Sequence, residues 1–162
     1  MRQNQDIKRS YRDTIVCDAE FKVIVIGNPD VGKSSFIQRL TEKKFSSKKA
    51  PTYGMDKKDM IINKDDIRIK FAIWDTAGQQ NYRHITSNFI NGCSAVFMVF
   101  DLTSLDSFLA LEDWVKTVQE KADNKAVVVI LGNKADLENL QVQDSQVERF
   151  CQTNKIAQYF KV

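Results

Sequence analysis

Gly27-Asn28-Pro29-Asp30-Val31-Gly32-Lys33-Ser34 is the stretch that decides the fold of this chain. It follows an apolar run, residues 21–26, that is typical of a buried parallel strand. It leads into residues 35–40, which we expect to open a helix whose first N–H groups face the phosphates. A loop of this pattern cradles phosphates with its backbone, places a lysine on the β- and γ-phosphates and a hydroxyl on Mg²⁺. The stretch therefore predicts binding of a nucleoside triphosphate.

Length and composition narrow the class of protein. A chain of 162 residues, 43% hydrophobic and 28% charged, predicts one ordinary globular domain. The net charge of +3 is spread along the chain and gives no support to nucleic-acid binding. No apolar run reaches the roughly 18 residues of a membrane span. The three cysteines have no metal-like spacing, which indicates reduced thiols of a cytosolic protein.

Strands and helices are expected to alternate along the rest of the chain. Further strands are expected at residues 60–62, 67–74, 95–100, 126–131 and 157–162, the first two joined by a hairpin. Further helices are expected at residues 107–122, capped by Ser104 or Asp106, and at 144–153. This alternation predicts a doubly wound α/β sheet with one antiparallel edge pair.

A second set of polar residues follows the strand predicted at 67–74. Asp75 can hold Mg²⁺ through water, because this cation prefers oxygen ligands and keeps much of its hydration. Gly78 offers a backbone N–H with no side chain in the way, which suits contact with a γ-phosphate. Gln79 carries both a donor and an acceptor, so it can orient an attacking water without acting as a strong base.

A third motif, Asn133-Lys134-Ala135-Asp136, follows the strand predicted at 126–131. The Asp136 carboxylate can accept hydrogen bonds from the N1–H and the 2-amino group of guanine. Adenine lacks this donor pair and would leave the carboxylate unpaired, at a cost of about 1–3 kcal/mol. Each motif is weak alone, but three in this order, each after a strand, indicate a guanine-nucleotide site. A P-loop kinase or ATPase, which the first loop also allows, is disfavoured by this guanine reader.

Together the motifs resemble those of the Ras superfamily of small GTPases, and more closely those of the Rab branch. The likeness runs from about residue 20 to 162, and the spacing agrees: Thr52 comes 18 residues after Ser34, and Phe45 comes 11 after it. The Rab-like stretches are residues 51–56, 82–87 and 101–108. The resemblance implies a P-loop NTPase (small G-protein) fold, with a mostly parallel six-stranded sheet and one antiparallel edge strand.

The resemblance also implies roles for single residues. Lys33 would hold the β- and γ-phosphates, Gly78 would contact the γ-phosphate, and Gln79 would position the attacking water. The nucleotide is further expected to contact Gly27, Asp30, Val31, Gly32, Ser34, Ser35, Phe45, Thr52, Asn133, Lys134 and Asp136. Mg²⁺, bound together with GTP or GDP, would be held by Ser34, Thr52 and Asp75.

The resemblance implies a GTP-hydrolysing switch in vesicle traffic, whose state is read by an exchange factor, a GAP and effectors. The protein is expected to be a cytosolic monomer. Membrane attachment is expected only of a longer, lipidated form, because this sequence carries no C-terminal cysteine motif. An alternative is a GTP/GDP-binding module with negligible hydrolysis.

Two departures from the family pattern carry expectations of their own. Pro29 stands where Ras has glycine, near the transferring phosphate, so we expect it to alter hydrolysis without abolishing binding. The family continues past the sixth strand with a base-contacting loop and a last helix, whereas this sequence ends at Val162. We therefore expect a mobile leader over residues 1–19 and a C-terminally incomplete GTPase domain over 20–162, with one sheet face short of cover. A rival expectation is that the leader covers that face with four apolar residues at roughly helical spacing, Ile7, Tyr11, Ile15 and Val16.

Overall fold

The computed structural model describes residues 16–46, 51–78 and 83–162, and for residues 83–85 it describes the backbone alone. Six strands and five helices alternate in this part of the chain. The strands are β1 (Ala19–Ile26), β2 (Met55–Lys64), β3 (Ile67–Thr76), β4 (Ala95–Asp101), β5 (Val127–Asn133) and β6 (Gln158–Lys161). The helices are α1 (Lys33–Glu42), α2 (Arg83–Ile90), α3 (Leu105–Leu109), α4 (Leu111–Lys121) and α5 (Asp144–Asn154). Residues 1–15 of the expected leader lie outside the described residues.

The described strands form one sheet in the order β2-β3-β1-β4-β5-β6. Strands β2 and β3 are antiparallel, and every other neighbouring pair is parallel. The predicted doubly wound sheet with one antiparallel edge strand is thereby confirmed. Strand β1 has β3 on one side and β4 on the other, so the loop that follows it lies where the strand order reverses. Open α/β sheets bind their ligands at this point.

The structure lengthens one strand and divides one helix relative to the sequence prediction. Strand β2 pairs with β3 from Met55 to Lys64, well beyond the predicted residues 60–62. The predicted helix at 107–122 is instead two helices, α3 and α4, that meet at Ala110. Ser104 caps α3, because its side chain accepts a hydrogen bond from the Ser107 N–H at 3.3 Å. Helix α2 was not predicted at all.

The two faces of the sheet are covered unequally in the described part of the chain. One face packs against α2, α3, α4 and α5, around fully buried side chains such as Trp114 and Phe100. The other face packs against α1, where the Phe36 ring lies 6.2 Å from that of Phe97. On that second face Phe21, Val127 and Phe160 are 38%, 51% and 49% exposed. Within the described residues, the α1 face thus leaves these three apolar side chains partly exposed.

Candidate functional site

Two glycines shape the loop between β1 and α1. Gly27 has a φ of +146°, and a Cβ built there would lie 2.2 Å from the carbonyl oxygen of Val99 in β4. Gly32 has a φ of +92°, and its Cβ would lie 2.1 Å from Nδ2 of Asn133. Neither position accepts a side chain, so the loop backbone can pass close to β4 and to the end of β5. The loop ends where α1 begins, and the first N–H groups of a helix favour an anion.

Lys33 lies at the start of α1 with its side chain folded back under this loop. It is 6% exposed, and its Nζ donates to the carbonyl oxygens of Gly27 at 2.9 Å and Asn28 at 2.7 Å. Burial lowers the pKa of Lys33 to about 8, against the opposing effect of the negative charges of Asp75 and Asp30. An ammonium that is so poorly hydrated gains more from a bound phosphate than an exposed one does.

Ser34 and Thr52, the two expected hydroxyl ligands of Mg²⁺, are in contact although 18 residues separate them. Ser34 Oγ and Thr52 Oγ1 lie 2.7 Å apart. Neighbouring ligands of an octahedral Mg²⁺, each about 2.1 Å from the ion, lie about 3 Å from one another. The pair of hydroxyls therefore fits adjacent positions around one magnesium ion.

Asp75 lies at the carboxyl end of β3, 6% exposed, next to Val25 of β1 in the sheet register. The described residues contain no group of three or more His, Cys, Asp or Glu side chains that could hold a metal ion. A magnesium ion at this edge would have the two hydroxyls and, through water, the Asp75 carboxylate from the protein, with water or phosphate oxygens as its further ligands. Such a shared site is usual for Mg²⁺.

Gly78 lies against the phosphate loop. A Cβ built on it would come within 2.4 Å of both the Asn28 carbonyl carbon and the Pro29 nitrogen. One residue earlier, the Ala77 N–H donates to the Gly54 carbonyl at 2.9 Å, which links this segment to the one that carries Thr52. Gln79, expected to position water, lies outside the described residues.

The expected base-reading motif leaves the end of β5 next to the phosphate loop. Asn133 Nδ2 donates to the carbonyl oxygen of Val31 at 2.8 Å, which joins the two motifs directly. Lys134 has a φ of +63°, a conformation that few non-glycine residues adopt. Asp136 is exposed, so its carboxylate is accessible to a base. Phe45, expected against the guanine, is 71% exposed.

Asp101, the last residue of β4, contacts the base-reading motif although the sequence did not single it out as a site residue. Its Oδ2 pairs with Lys134 Nζ at 2.5 Å, and its Oδ1 accepts from the N–H and the hydroxyl of Thr103 at 2.8 and 2.7 Å. Burial alone would raise the pKa of Asp101, but the hydrogen bonds from Lys134 and Thr103 outweigh it and lower that pKa. The available signal was its position directly after the apolar run at residues 95–100.

Trp114 of α4 is a second contact that the motifs did not indicate. Its Nε1 donates to Oδ1 of Asn28 in the phosphate loop, at 3.4 Å. Because 86 residues separate the two, no local pattern in the sequence could have paired them.

Comparison with known proteins agrees with this geometry. A Gly-x-x-x-x-Gly-Lys-Ser loop after β1, an aspartate at the end of β3 and an Asn-Lys-x-Asp stretch at the end of β5 are the pattern expected of a nucleotide-binding α/β domain. The chain belongs to the Ras family, whose sequence profile it matches over residues 22–162. It is 39% identical over 129 residues to human Ras-related protein Rab-3A, and 39% identical over 136 residues to Ras-related protein YPTC6 of Chlamydomonas reinhardtii. The resemblance to Rab proteins is thereby confirmed.

These relatives are longer than the chain. The matches cover 80% and 83% of this chain, but only 59% of Rab-3A and 63% of YPTC6. The human EF-hand calcium-binding domain-containing protein 4B is 40% identical over 75% of this chain, a segment that makes up 17% of that protein. No helix in the described ranges combines the length and the apolar character that crossing a membrane requires.

Proposed function

We propose that this protein is a guanine-nucleotide-binding switch that hydrolyses GTP to GDP and phosphate. The observation that carries the proposal is the hydrogen bond from Asn133 Nδ2 to the Val31 carbonyl. It brings a motif suited to guanine against a loop suited to phosphates, so one nucleotide can occupy both. Membership of the Ras family supports the same conclusion.

In this proposal the phosphates lie over the loop from Gly27 to Lys33, where the Lys33 ammonium balances their charge. The Gly78 N–H donates to a γ-phosphate oxygen, and Gln79 orients the water whose oxygen attacks phosphorus while the bond to the GDP oxygen breaks. Ser34, Thr52 and Asp75 would hold Mg²⁺, whose charge stabilises the negative charge on the phosphate oxygens. The reaction needs no side chain as a strong base.

Specificity for guanine is assigned to Asp136, whose side chain is exposed. A carboxylate accepts the two parallel N–H donors of guanine, and adenine offers no such pair. Binding of adenine would leave the carboxylate without these hydrogen bonds, a loss of about 1–3 kcal/mol.

The likeness to Rab proteins supports a role in vesicle traffic, with an exchange factor, a GAP and effectors that contact the segments around Thr52 and Gly78. In this proposal the protein acts as a cytosolic monomer. A second candidate, a nucleotide-binding module with negligible turnover, is favoured by one observation: the exposed Pro29 has its backbone against Gly78, where the γ-phosphate is proposed to bind.

The proposal is tested by purifying the protein without added nucleotide, denaturing it and identifying what is released. About one equivalent of GDP or GTP supports it, whereas ATP that displaces labelled GDP effectively would contradict it. Measurement of single-turnover GTP hydrolysis then distinguishes a GTP-hydrolysing switch from a nucleotide-binding module with negligible hydrolysis. Intrinsic rates in this chemistry are of order 10⁻⁴ s⁻¹, so the assay must run for hours.

A further inference from the structure

Asp101 and Lys134 are brought together by the pairing of two central strands. Asp101 ends β4 and is paired in register with Asn133, which ends β5. The backbone is fixed there as well, because the Leu102 N–H donates to the Asn133 carbonyl at 3.0 Å. Lys134 is the next residue along, and its side chain returns toward β4 to meet the Asp101 carboxylate.

The Asp101 carboxylate is a rigid partner. It is about 10% exposed, and Thr103 donates two hydrogen bonds to the oxygen that Lys134 does not contact. The Asp101 N–H donates to Ser107 Oγ at 3.0 Å, which fixes the backbone of the same residue. Lys134 Nζ therefore meets a carboxylate whose position is already fixed by Thr103 and Ser107, which follow it in the chain.

Lys134, by contrast, is a flexible side chain on an unusual backbone. A lysine side chain loses considerable rotamer entropy when it is ordered. The ion pair orders it before any ligand arrives, and a site that is ordered in advance binds its ligand more tightly. Because the Lys134 ammonium is already paired with Asp101, only the aliphatic stem of Lys134 remains available to contact a base.

We infer that Asp101 is a positioning residue for nucleotide binding: it holds Lys134 so that the lysine stem forms one wall of the base pocket. This inference rests on the proposed function. A methylene stem makes no hydrogen bonds to the edge of a base, so the contribution is to affinity and not to the choice among purines. That choice is assigned to Asp136.

The test compares the dissociation constants of GDP and of inosine diphosphate, which lacks the 2-amino group, for the full chain. Asp101→Asn keeps an oxygen for Thr103 but loses the charge that holds Lys134. We expect it to weaken binding of both nucleotides by about tenfold, and by the same factor for each. Asp59→Asn is the matched control, because Asp59 of the edge strand β2 forms an ion pair with Lys70 at 3.3 Å, and β2 lies four strands away from β5 in the sheet. It should bind GDP like the unsubstituted protein.

A double-variant cycle separates positioning from a purely structural role. In a Lys134→Met background, Asp101→Asn should change GDP affinity less than twofold, since it has no lysine left to position. Unchanged GDP affinity of Asp101→Asn, or the same tenfold loss in both backgrounds, would overturn the inference alone. Failure of the unsubstituted protein to bind guanine nucleotide would overturn the proposed function and this inference together.

Thr103→Val is the second variant, and it decides the question if Asp101→Asn does not fold. It removes one of the two hydrogen bonds that hold the Asp101 carboxylate and keeps the side-chain volume. We expect a smaller loss of GDP affinity, about threefold, that disappears in the Lys134→Met background. A loss that persists there would contradict positioning.

Discussion

The backbone of Gly78 lies directly against that of Pro29, closer than any side chain on Gly78 would permit. A Cβ on Gly78 would lie 2.4 Å from the Pro29 nitrogen and 2.5 Å from the Asn28 oxygen. Residues of two distant motifs thus meet where the γ-phosphate is proposed to bind. Substitutions on either side of this contact should therefore change the rate of GTP hydrolysis more than they change the affinity for GDP.

Gly78→Ala tests the contact from one side. The added methyl forces the two segments apart, which moves the Gly78 N–H from the place where it is proposed to meet the γ-phosphate. We expect single-turnover GTP hydrolysis to slow by about 10–100-fold, because misplacement of a contact by about 1 Å has effects of this size. GDP affinity should change less than threefold. Gly92→Ala is the control: its φ of +68° also makes a side chain strained, but nothing lies within 4 Å of the added Cβ. Equal hydrolysis rates for the two variants would contradict the proposed contact of the Gly78 N–H with the γ-phosphate.

Pro29→Ser tests the contact from the other side. The proline ring is exposed and fixes the loop backbone at Gly78, so a smaller, more adaptable residue should leave more room for the attacking water. We expect hydrolysis to become about fivefold faster, equivalent to about 1 kcal/mol of barrier. The dissociation constant of GDP serves as the internal control and should stay within twofold. Identical hydrolysis rates for the two proteins would show that Pro29 has no part in the reaction.

Ser34→Ala tests the proposed magnesium site. Because Ser34 Oγ lies 2.7 Å from Thr52 Oγ1, its removal leaves one hydroxyl where two fit adjacent positions around the ion. In the unsubstituted protein, chelation of Mg²⁺ by EDTA should speed GDP release by about tenfold or more. In Ser34→Ala, release should already be fast and respond little to EDTA. Thr41→Ala, which alters a hydroxyl on the same helix that bonds to the Ile37 carbonyl, should behave like the unsubstituted protein.

Much of this site could be predicted because each motif directly follows a strand. The carboxyl ends of parallel strands meet at one edge, so residues after β1, β3 and β5 had to be neighbours once the sheet was recognised. The hydrogen bond from Asn133 to Val31 is of this kind. The contact of Ser34 with Thr52 is not, because Thr52 precedes β2 and was expected only from the spacing of the family. Asp101 was not singled out because a lone aspartate at the end of a strand is not a recognisable motif. Its inferred role depends on the contact with Lys134, which only the structure shows.

Other features depend on tertiary packing that a local pattern does not contain. Helix α2 has eight residues, and isolated helices shorter than about 12 residues are marginal in water. Burial of Thr86 and Ile90 against the rest of the structure is what fixes it. The predicted helix at 107–122 is divided at Ala110, and alanine is a good helix former. Because no glycine or proline marks the break, the sequence pattern could not predict it.

The buried Lys33 makes the stability of the nucleotide-free protein depend on pH. Its pKa is about 8 in the folded protein, against 10.5 for the ordinary side chain. Between these values the unfolded chain binds more protons than the folded one, so the free energy of unfolding rises with pH. The stabilisation is fully present above the unfolded pKa and is lost as the pH falls through about 8. From pH 7.5 to 9.5 the gain should be roughly 2 kcal/mol.

Urea unfolding of the nucleotide-free protein and of Lys33→Met at several pH values isolates this contribution, because other groups titrate alike in both proteins. The free energy of unfolding of the unsubstituted protein should rise relative to that of the variant over this range. Saturating GDP with Mg²⁺ supplies the decisive comparison. A bound phosphate favours the charged ammonium and raises the Lys33 pKa, so the pH-dependent difference should shrink. A difference that is the same with and without GDP would mean that Lys33 does not meet the phosphates, and the assignment of the loop would fail with it.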